Sequence, residues 1–354
     1  MLKSFRFILL PVSILYGFTI WVRNKLFDKN ILRSAAFNFP IICVGNLAVG
    51  GTGKTPMVEY LVRLLKDRFK VATLSRGYKR KTEGFAIADI HTTALDIGDE
   101  PMQFHKKFPD ITVAVAEERL VGVPQLLHGK PETEVIILDD AFQHRQIKAG
   151  FNILLTEYKN LFTRDFILPA GDLRDVKSSA SRADMIIVTK CKSHLSDEER
   201  EKIIKEINPL AHQHVFFTKI EYGSPYHLFT KEQKFLAPET HILLICGIAN
   251  PKPIQEILNT YSSTYDMILF RDHHVFDIDD LKQIKRQYEQ IEAKDKLILT
   301  TEKDGVRLAK FENELKDLPV YVFPIKHKIM FGQEPEFEKL ILDFISSFKK
   351  PVSN

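Results

Sequence analysis

Several features that would identify a simple protein class are scarce in this sequence. The 354 residues include three cysteines, Cys43, Cys191 and Cys246, which are too far apart for a CxxC motif or a zinc site. We therefore expect reduced, buried thiols rather than a disulfide framework. The formal net charge is only +4, which without a concentrated basic patch argues against nucleic acid as a partner.

A continuous apolar run long enough to cross a membrane is also missing. The most apolar stretch, 7–22, has 16 residues without a charge, whereas a spanning helix needs about 20. Pro11 and Gly17 interrupt it, and no small-residue cleavage site of a secretory signal follows. Basic residues on both flanks, together with Tyr16 and Trp21, favour a segment lying in the headgroup region of a membrane. The alternative is a buried core helix.

Short apolar runs recur along the chain and alternate with amphipathic stretches such as 57–65. The first series of runs comprises 41–44, 71–74, 111–115, 135–138, 153–155 and 185–188. A second series comprises 241–246, 267–270, 296–299 and 320–323. This alternation predicts an α/β protein with a mostly parallel sheet of the P-loop NTPase type, flanked by helices, and a second, smaller α/β unit.

The region between the two series differs in pattern from both. Residues 211–235 alternate in polarity around Gly223-Ser224-Pro225, which predicts a two-stranded linker. We therefore expect an N-terminal membrane-associated helical segment at 1–35, a nucleotide-binding unit at 36–210, the linker at 211–235 and the smaller α/β unit at 236–354.

The most specific motif is the glycine-rich segment AVGGTGKT, which follows an apolar strand and precedes an amphipathic helix. A Walker A phosphate loop requires that order, so a glycine-rich turn without a ligand is much the weaker interpretation. Lys54 would reach the β- and γ-phosphates, and the Thr55 hydroxyl would join the Mg²⁺ shell. The predicted nucleotide-binding residues are Ala48, Val49, Gly50, Gly51, Thr52, Gly53, Lys54 and Thr55.

Two aspartates, Asp139 and Asp140, follow the apolar strand at 135–138. Acidic side chains at the carboxyl end of a buried strand are typical of a Walker B element that holds Mg²⁺. An aspartate pair that merely opens a turn is the alternative, and the upstream phosphate loop argues against it. ATP and Mg²⁺ are therefore the predicted cofactors.

Two further acidic motifs bear on the acceptor. Asp99 lies in Gly-Asp-Glu-Pro, where a carboxylate can accept a hydroxyl proton or, alternatively, open a helix. In Asp272-His273-His274, a histidine beside a carboxylate can tune or relay a proton. No further ligands at a recognised spacing support a zinc site there.

Two arginines, Arg76 and Arg119, lie at predicted strand ends, where α/β proteins bind ligands. Arg76, Arg119 and Arg174 are consistent with an anionic, phosphorylated substrate, although solvated surface charge would explain each one singly.

Taken in order, these motifs resemble the tetraacyldisaccharide 4'-kinases of lipid A biosynthesis. The resemblance spans nearly the whole chain and rests on VGNLAVGGTGKTP, LSRGY, IGDEP, VAEER, ILDDAFQHR, PAGDLRD, FRDHH and TTEKD. It implies ATP-dependent phosphorylation of the 4'-hydroxyl of a tetraacylated disaccharide 1-phosphate at the cytoplasmic face of the inner membrane. No obligate protein partner is implied.

The resemblance also assigns roles to individual residues. It implies that Asp99 is the catalytic base, that His273 is its partner from the second unit, and that Lys54 acts on the transferring phosphoryl group. It further implies that Thr55, Asp139 and Asp140 hold Mg²⁺. The family often has glutamate where this chain has Asp175, so the role of Asp175 stays open.

Two other classes of P-loop protein remain as alternatives. A GTPase would carry NKxD, but Thr189 and Lys192 stand where that motif has Asn and Asp. A membrane-recruited partitioning ATPase would carry a signature lysine at the position of Val49. Both alternatives are therefore disfavoured.

Overall fold

The computed structural model describes residues 6–248, 250–262, 264–272 and 274–348. The strands are β1 Ala35–Ala36, β2 Ile41–Asn46, β3 Val71–Ser75, β4 Ala86–Ile87, β5 Thr112–Val115, β6 Val135–Asp139, β7 Ile147–Lys148, β8 Phe151–Glu157, β9 Met185–Thr189, β10 His214–Tyr222, β11 Tyr226–His227, β12 His241–Cys246, β13 Tyr265–Leu269, β14 Lys296–Thr301, β15 Val320–Phe323 and β16 Ile325–Ile329. The α-helices are Leu10–Asp28, Lys54–Leu65, Ala94–Ile97, Asp99–Lys107, Arg119–Gly129, Asp197–Ile207, Lys252–Tyr261, Ile278–Gln290, Glu302–Leu308, Glu312–Leu315 and Glu334–Ser346.

A nine-stranded sheet in the order β16-β10-β9-β8-β2-β6-β3-β5-β4 forms the larger unit. Its inner strands, β10 to β5 in that order, are parallel, and β16 and β4 pair antiparallel at the two edges. Strands β2, β3, β6 and β9 are buried along their whole length, as continuous apolar runs in a doubly covered sheet should be. The predicted fold class is confirmed.

Helices cover both faces of this sheet. On one face the helix Lys54–Leu65 packs Met57, Val58 and Leu61 against the sheet, beside Phe104 and Phe337 of two other helices. On the other face, Val123, Leu126, Ile203 and Ile207 fill the core. Because parallel strands end together, β2, β3, β6 and β9 bring their following loops to one edge of the sheet.

A five-stranded sheet in the order β11-β15-β14-β12-β13 forms the smaller unit. It is parallel except at β11, and apolar clusters fill both of its faces. The helix Ile278–Gln290 begins with a capping box, in which Asp277 accepts the N–H of Asp280 and Asp280 accepts the N–H of Asp277. The second apolar series of the sequence therefore forms the strands expected of it.

The sequence predicts a two-stranded linker within 211–235, but the two strands of this region have other partners. Strands β10 and β11 do not pair with each other; β10 pairs with β9 and β16, and β11 pairs with β15. Two antiparallel strands, β10 and β16, do run between the units, but they lie about 100 residues apart in sequence. Alternating polarity reports which side of a strand is buried, not which strand lies beside it.

The end of the chain also departs from the predicted division at 236–354. Residues 325–329 add β16 to the larger sheet, and the helix Glu334–Ser346 buries Phe337, Ile341 and Ile345 in the larger unit's core. The chain therefore crosses between the units twice.

His327, on the returning strand β16, reaches the phosphate loop. Its Nε2 lies 2.9 Å from the carbonyl oxygen of Gly53, and its Nδ1 lies 2.9 Å from the Thr218 hydroxyl. Because a carbonyl only accepts, Nε2 carries the hydrogen and Nδ1 accepts from Thr218. Burial lowers the pKa of His327 to about 4, so this ring is neutral at pH 7.

The N-terminal helix shows an unusual distribution of side chains. Its buried residues are Ser13, Gly17, Asn24 and Phe27, which recur at helical spacing and are mostly small or polar. Large apolar residues face outwards instead, with Ile14 70% exposed and Phe18 60% exposed. Within the described residues, Phe7–Asp28 is the one helix long and apolar enough to cross a membrane. A core helix would bury its large apolar residues, whereas this helix exposes them.

We expect protonation of His327 to destabilise the fold. The unfolded chain binds this proton with a pKa near 6.5 and the folded chain with a pKa of about 4, so the unfolded state holds more protons between those values. The free energy of unfolding should therefore fall as the pH is lowered through this window, by at most about 3 kcal/mol.

Urea unfolding of the wild type and of His327→Gln between pH 7.5 and 4.5 measures this contribution. The variant should lose part of the pH dependence below pH 6.5, whatever its stability at pH 7.5. Identical pH dependence in the two proteins would contradict it.

Candidate active site

The phosphate loop occupies the turn between β2 and the helix Lys54–Leu65. Gly50 and Gly53 have φ values of 103° and 90°, a left-handed conformation that a side chain would strain. Two hydrogen bonds to Thr52 hold the loop in place. Asn46 Nδ2 donates to the Thr52 hydroxyl at 2.9 Å, and the Thr189 hydroxyl donates to the Thr52 carbonyl at 2.8 Å. Thr189, considered above as part of a guanine-reading motif, therefore supports the loop from the end of β9.

Lys54 faces the acidic pair at the end of β6. Its Nζ lies 3.7 Å from Asp140 Oδ1. The guanidinium of Arg174 also pairs with Asp140 and donates to the side-chain oxygen of Asn46. Although burial alone would raise the pKa of Asp140, Lys54 and Arg174 outweigh it and hold that pKa below its usual value. The structure thus keeps Asp140 ionised beside the phosphate loop.

Asp139 has the opposite electrostatic character. Burial, followed by the charges of Glu100 and Asp140, raises the pKa of Asp139 to about 7. Its Oδ2 accepts from Ser75 at 3.3 Å, whereas its buried Oδ1 has no hydrogen-bond partner among the described residues. Burial also raises the pKa of Glu100, despite the nearby ammonium groups of Lys54 and Lys303. Three carboxylates therefore crowd one small region beside Lys54.

These carboxylates fit a magnesium ion. A divalent cation would bind the unpaired oxygen of Asp139 and reduce the repulsion between the neighbouring carboxylates. Mg²⁺ is usually held by one or two carboxylates together with phosphates and water. Asp139, Asp140 and Glu100 do not converge closely enough to form a three-ligand metal site by themselves among the described residues.

Asp99 begins the helix Asp99–Lys107 and faces the smaller unit. Its Oδ2 accepts two hydrogen bonds from the guanidinium of Arg307, at 2.9 and 2.6 Å. Arg307 is buried and also donates to Asp304 at 3.2 Å. Asp99 is thus held at the boundary between the two units, while its predicted partner His273 lies outside the described residues.

The other end of this helix is fixed by a buried charge cluster. The ammonium group of Lys107 lies 2.6 Å from Glu59 of the phosphate-loop helix and also pairs with Glu302 of the smaller unit. Gln103 donates to Glu59 at 2.8 Å. The helix carrying Asp99 is therefore attached to both units.

The three arginines proposed to bind substrate occupy different environments. Arg119 is 1% exposed and donates to the carbonyls of Ala116 and Asp139, so it shapes the site from within and cannot reach a lipid. Burial lowers the pKa of Arg119 to about 10. Arg174 is directed to Asp140 and the phosphate loop. Arg76 is exposed, and no hydrogen bond or ion pair to it is present among the described residues.

His144 adds to the surface near Arg76. Burial, with the charges of Arg119 and Arg76, lowers the pKa of His144 to about 4. A half-buried neutral imidazole beside an exposed guanidinium can accept or donate a hydrogen bond to a sugar or phosphate.

Sequence reasoning did not assign roles to several residues of this region. Lys303 and Arg307 sit in and just after TTEKD, and Glu100 sits beside Asp99, but nothing in their spacing predicts that Lys303 lies near Glu100 or that Arg307 pairs with Asp99. No motif in the sequence indicated that His327 contacts the phosphate loop. A pairing between β10 and β16 would have been needed to find it.

Comparisons with known proteins agree with this geometry. The family described as Tetraacyldisaccharide-1-P 4'-kinase matches residues 5–346. The Tetraacyldisaccharide 4'-kinase of Flavobacterium johnsoniae is 46% identical over 351 residues, covering 98% of this chain and 99% of the relative. That of Bacteroides thetaiotaomicron is 44% identical over 352 residues, covering 95% and 92%.

A solved structure gives the same result. The crystal structure of LpxK from Aquifex aeolicus in complex with ATP superimposes with a TM-score of 0.76 at 30% identity, covering 98% of this chain and 100% of that one. The chain therefore belongs to the Tetraacyldisaccharide-1-P 4'-kinase family and is an ATP-dependent kinase of lipid A biosynthesis.

Proposed function

We propose that this kinase transfers the γ-phosphoryl group of ATP to the 4'-hydroxyl of a tetraacyldisaccharide 1-phosphate, using Asp99 as the general base. The observation that carries this proposal is that Lys54 of the phosphate loop faces Asp140 and Glu100, while Asp99, the neighbour of Glu100, pairs with Arg307 of the smaller unit. Phosphoryl transfer requires such a combination of cationic and acidic groups.

The nucleotide half of the site follows from the phosphate loop. Residues 48–55 would bind the phosphates through backbone N–H groups, and Lys54 would follow the γ-phosphate. Thr55, Asp139 and Asp140 would hold Mg²⁺, which when bound neutralises charge on the phosphates. Arg174 would keep Asp140 oriented through their ion pair.

Asp99 would accept the proton of the acceptor hydroxyl. Arg307 donates two hydrogen bonds to Oδ2 and so orients the carboxylate. His273 would assist from the smaller unit. Because Asp99 and Arg307 come from different units, closure of the cleft would bring base and acceptor together and exclude water, the competing acceptor.

The lipid would approach from the side of the N-terminal helix. Arg76, exposed and beside His144, is the arginine best suited to contact its phosphate, whereas Arg119 is not a contact residue. The outward apolar face of the helix would enter the cytoplasmic leaflet of the inner membrane, with flanking basic residues on anionic headgroups. The enzyme would thus be peripheral or monotopic.

Replacing the proposed base tests the mechanism directly. Asp99→Asn should lower kcat by roughly 10² to 10⁴, the usual range for removing a general base, with the KM for ATP little changed. Transfer of labelled γ-phosphate to the disaccharide 1-phosphate lipid in detergent micelles is the measurement.

Two further variants interpret that result. Asp96→Asn removes a carboxylate that caps the preceding short helix and should have no effect. Arg307→Gln removes the ion pair but leaves the base, so it should cost much less than Asp99→Asn. Equal losses in Asp99→Asn and Arg307→Gln would assign Asp99 to domain contact instead of proton transfer.

Substitutions of Arg76 and Arg119 should have different effects, the first on lipid binding and the second on stability. Arg76→Ala should raise the KM for the lipid about tenfold, as expected for a lost charge-assisted contact, and leave the KM for ATP and the unfolding transition unchanged. Arg119→Met should instead destabilise the fold by about 3 kcal/mol, because buried carbonyls lose their donor. Thermal unfolding and lipid titrations measure both. An unchanged lipid KM in Arg76→Ala would remove Arg76 from the site.

The exposed helix face should determine membrane binding. Ile14→Ser combined with Phe18→Ser should weaken binding to phosphatidylglycerol vesicles by tenfold or more, at roughly 1–2 kcal/mol for each partly inserted side chain. Ile90→Ser, which removes a still more exposed apolar residue outside the helix, is the control. Vesicle cosedimentation measures the partitioning, and equal binding by all three proteins would exclude this face as the membrane contact.

A further inference from the structure

Asp175 is buried against the N-terminal helix, not in the nucleotide site. It is 2% exposed. Its Oδ1 accepts from Asn24 Nδ2 and from the Ser179 hydroxyl, both at 2.8 Å, and its Oδ2 accepts from Arg182 at 2.9 Å. With these partners both carboxylate oxygens are engaged. Asp175 therefore serves neither Mg²⁺ nor phosphate directly.

The segment preceding Asp175 runs beside the phosphate loop. The N–H of Val49 donates to Asp172 O at 2.8 Å, and the N–H of Arg174 donates to Leu47 O at 2.8 Å. The side chain of Arg174 then pairs with Asp140. Adjacent residues of one short segment thus hold the helix on one side and the nucleotide site on the other.

A second connection runs through the loop after β6. Arg145 in this loop donates to Asn24 O and to Asp28, both at 2.7 Å. Arg182, which also pairs with Asp175, donates to Phe142 O at 2.8 Å. The loop that starts at Asp140 is therefore attached to the polar, C-terminal end of the helix at several points.

We propose that Asp175 is a positioning residue that couples docking of the N-terminal helix to the geometry of the nucleotide site. Asn24, held by Asp175, fixes the helix on the body, and the same segment fixes Arg174 against Asp140 and the phosphate loop. The membrane side of this coupling rests on the proposed function, because it takes the helix face as the membrane contact. By thermodynamic reciprocity, nucleotide binding tightens helix docking as much as docking tightens nucleotide binding.

Nucleotide affinity measured in detergent, without lipid, tests the coupling. Asn24→Ala, which touches no nucleotide-site residue, should weaken binding of magnesium adenylyl imidodiphosphate about fivefold by calorimetry, the factor that one net hydrogen bond represents. Asp175→Asn should weaken it at least as much. The matched control is Ser13→Ala, which removes a hydrogen bond from Ala170 N–H at the other end of the same helix and should change the affinity less than twofold.

Hydrogen exchange gives a second readout on the wild type. Adding the same nucleotide should slow amide exchange in residues 19–28, and Asp175→Asn should abolish that slowing. Equal affinity losses in Asn24→Ala and Ser13→Ala, or exchange in 19–28 that ignores nucleotide, would overturn the coupling. Both experiments omit the acceptor lipid, so a failed kinase assay would count against the proposed function and leave this result standing.

Discussion

The crowding of carboxylates beside Lys54 is the constraint on which the rest of the site depends. Burial raises the pKa of both Asp139 and Glu100, and the charges of neighbouring carboxylates add to both shifts. Like charges in such a place are costly unless a cation or a positive side chain faces them. Lys54 and Arg174 supply part of that positive charge, and a divalent cation bound at Asp139 would add to it.

The smaller unit contributes to this balance from the other side. Lys303 lies within electrostatic reach of Glu100, and Arg307 pairs with Asp99. The strand β16 returns to place neutral His327 under the phosphate loop. The smaller unit thus contributes charges near Asp99 and Glu100, and the returning strand contributes a hydrogen bond to the phosphate loop.

The N-terminal helix uses its two sides differently. Its small and polar residues pack against the protein, and its large apolar residues face outwards, where the proposed membrane contact would form. The polar end of the same helix is attached to the loop that carries Asp140. The helix and the nucleotide site therefore share a structural support.

Much of this could be predicted from the sequence. The ten apolar runs all became strands, because burial on both faces of a parallel sheet demands continuous apolar residues. The phosphate loop and its acidic partners were also predictable, because they follow their strands directly and parallel strands end at one edge. Arg119 shows what such reasoning misses. Its motif predicted a substrate contact, but a motif does not reveal whether a side chain is buried, and Arg119 is.

What the sequence by itself determined, then, is local: the strands, the glycine-rich loop, the acids after β6 and the apolar character of residues 7–22. Only the tertiary structure decided that β16 rejoins the larger sheet, that Arg307 meets Asp99 and that Asp175 holds Asn24. These contacts join residues separated by more than 100 positions. Their formation depends on how whole sheets and helices pack, and no local periodicity or motif encodes that packing.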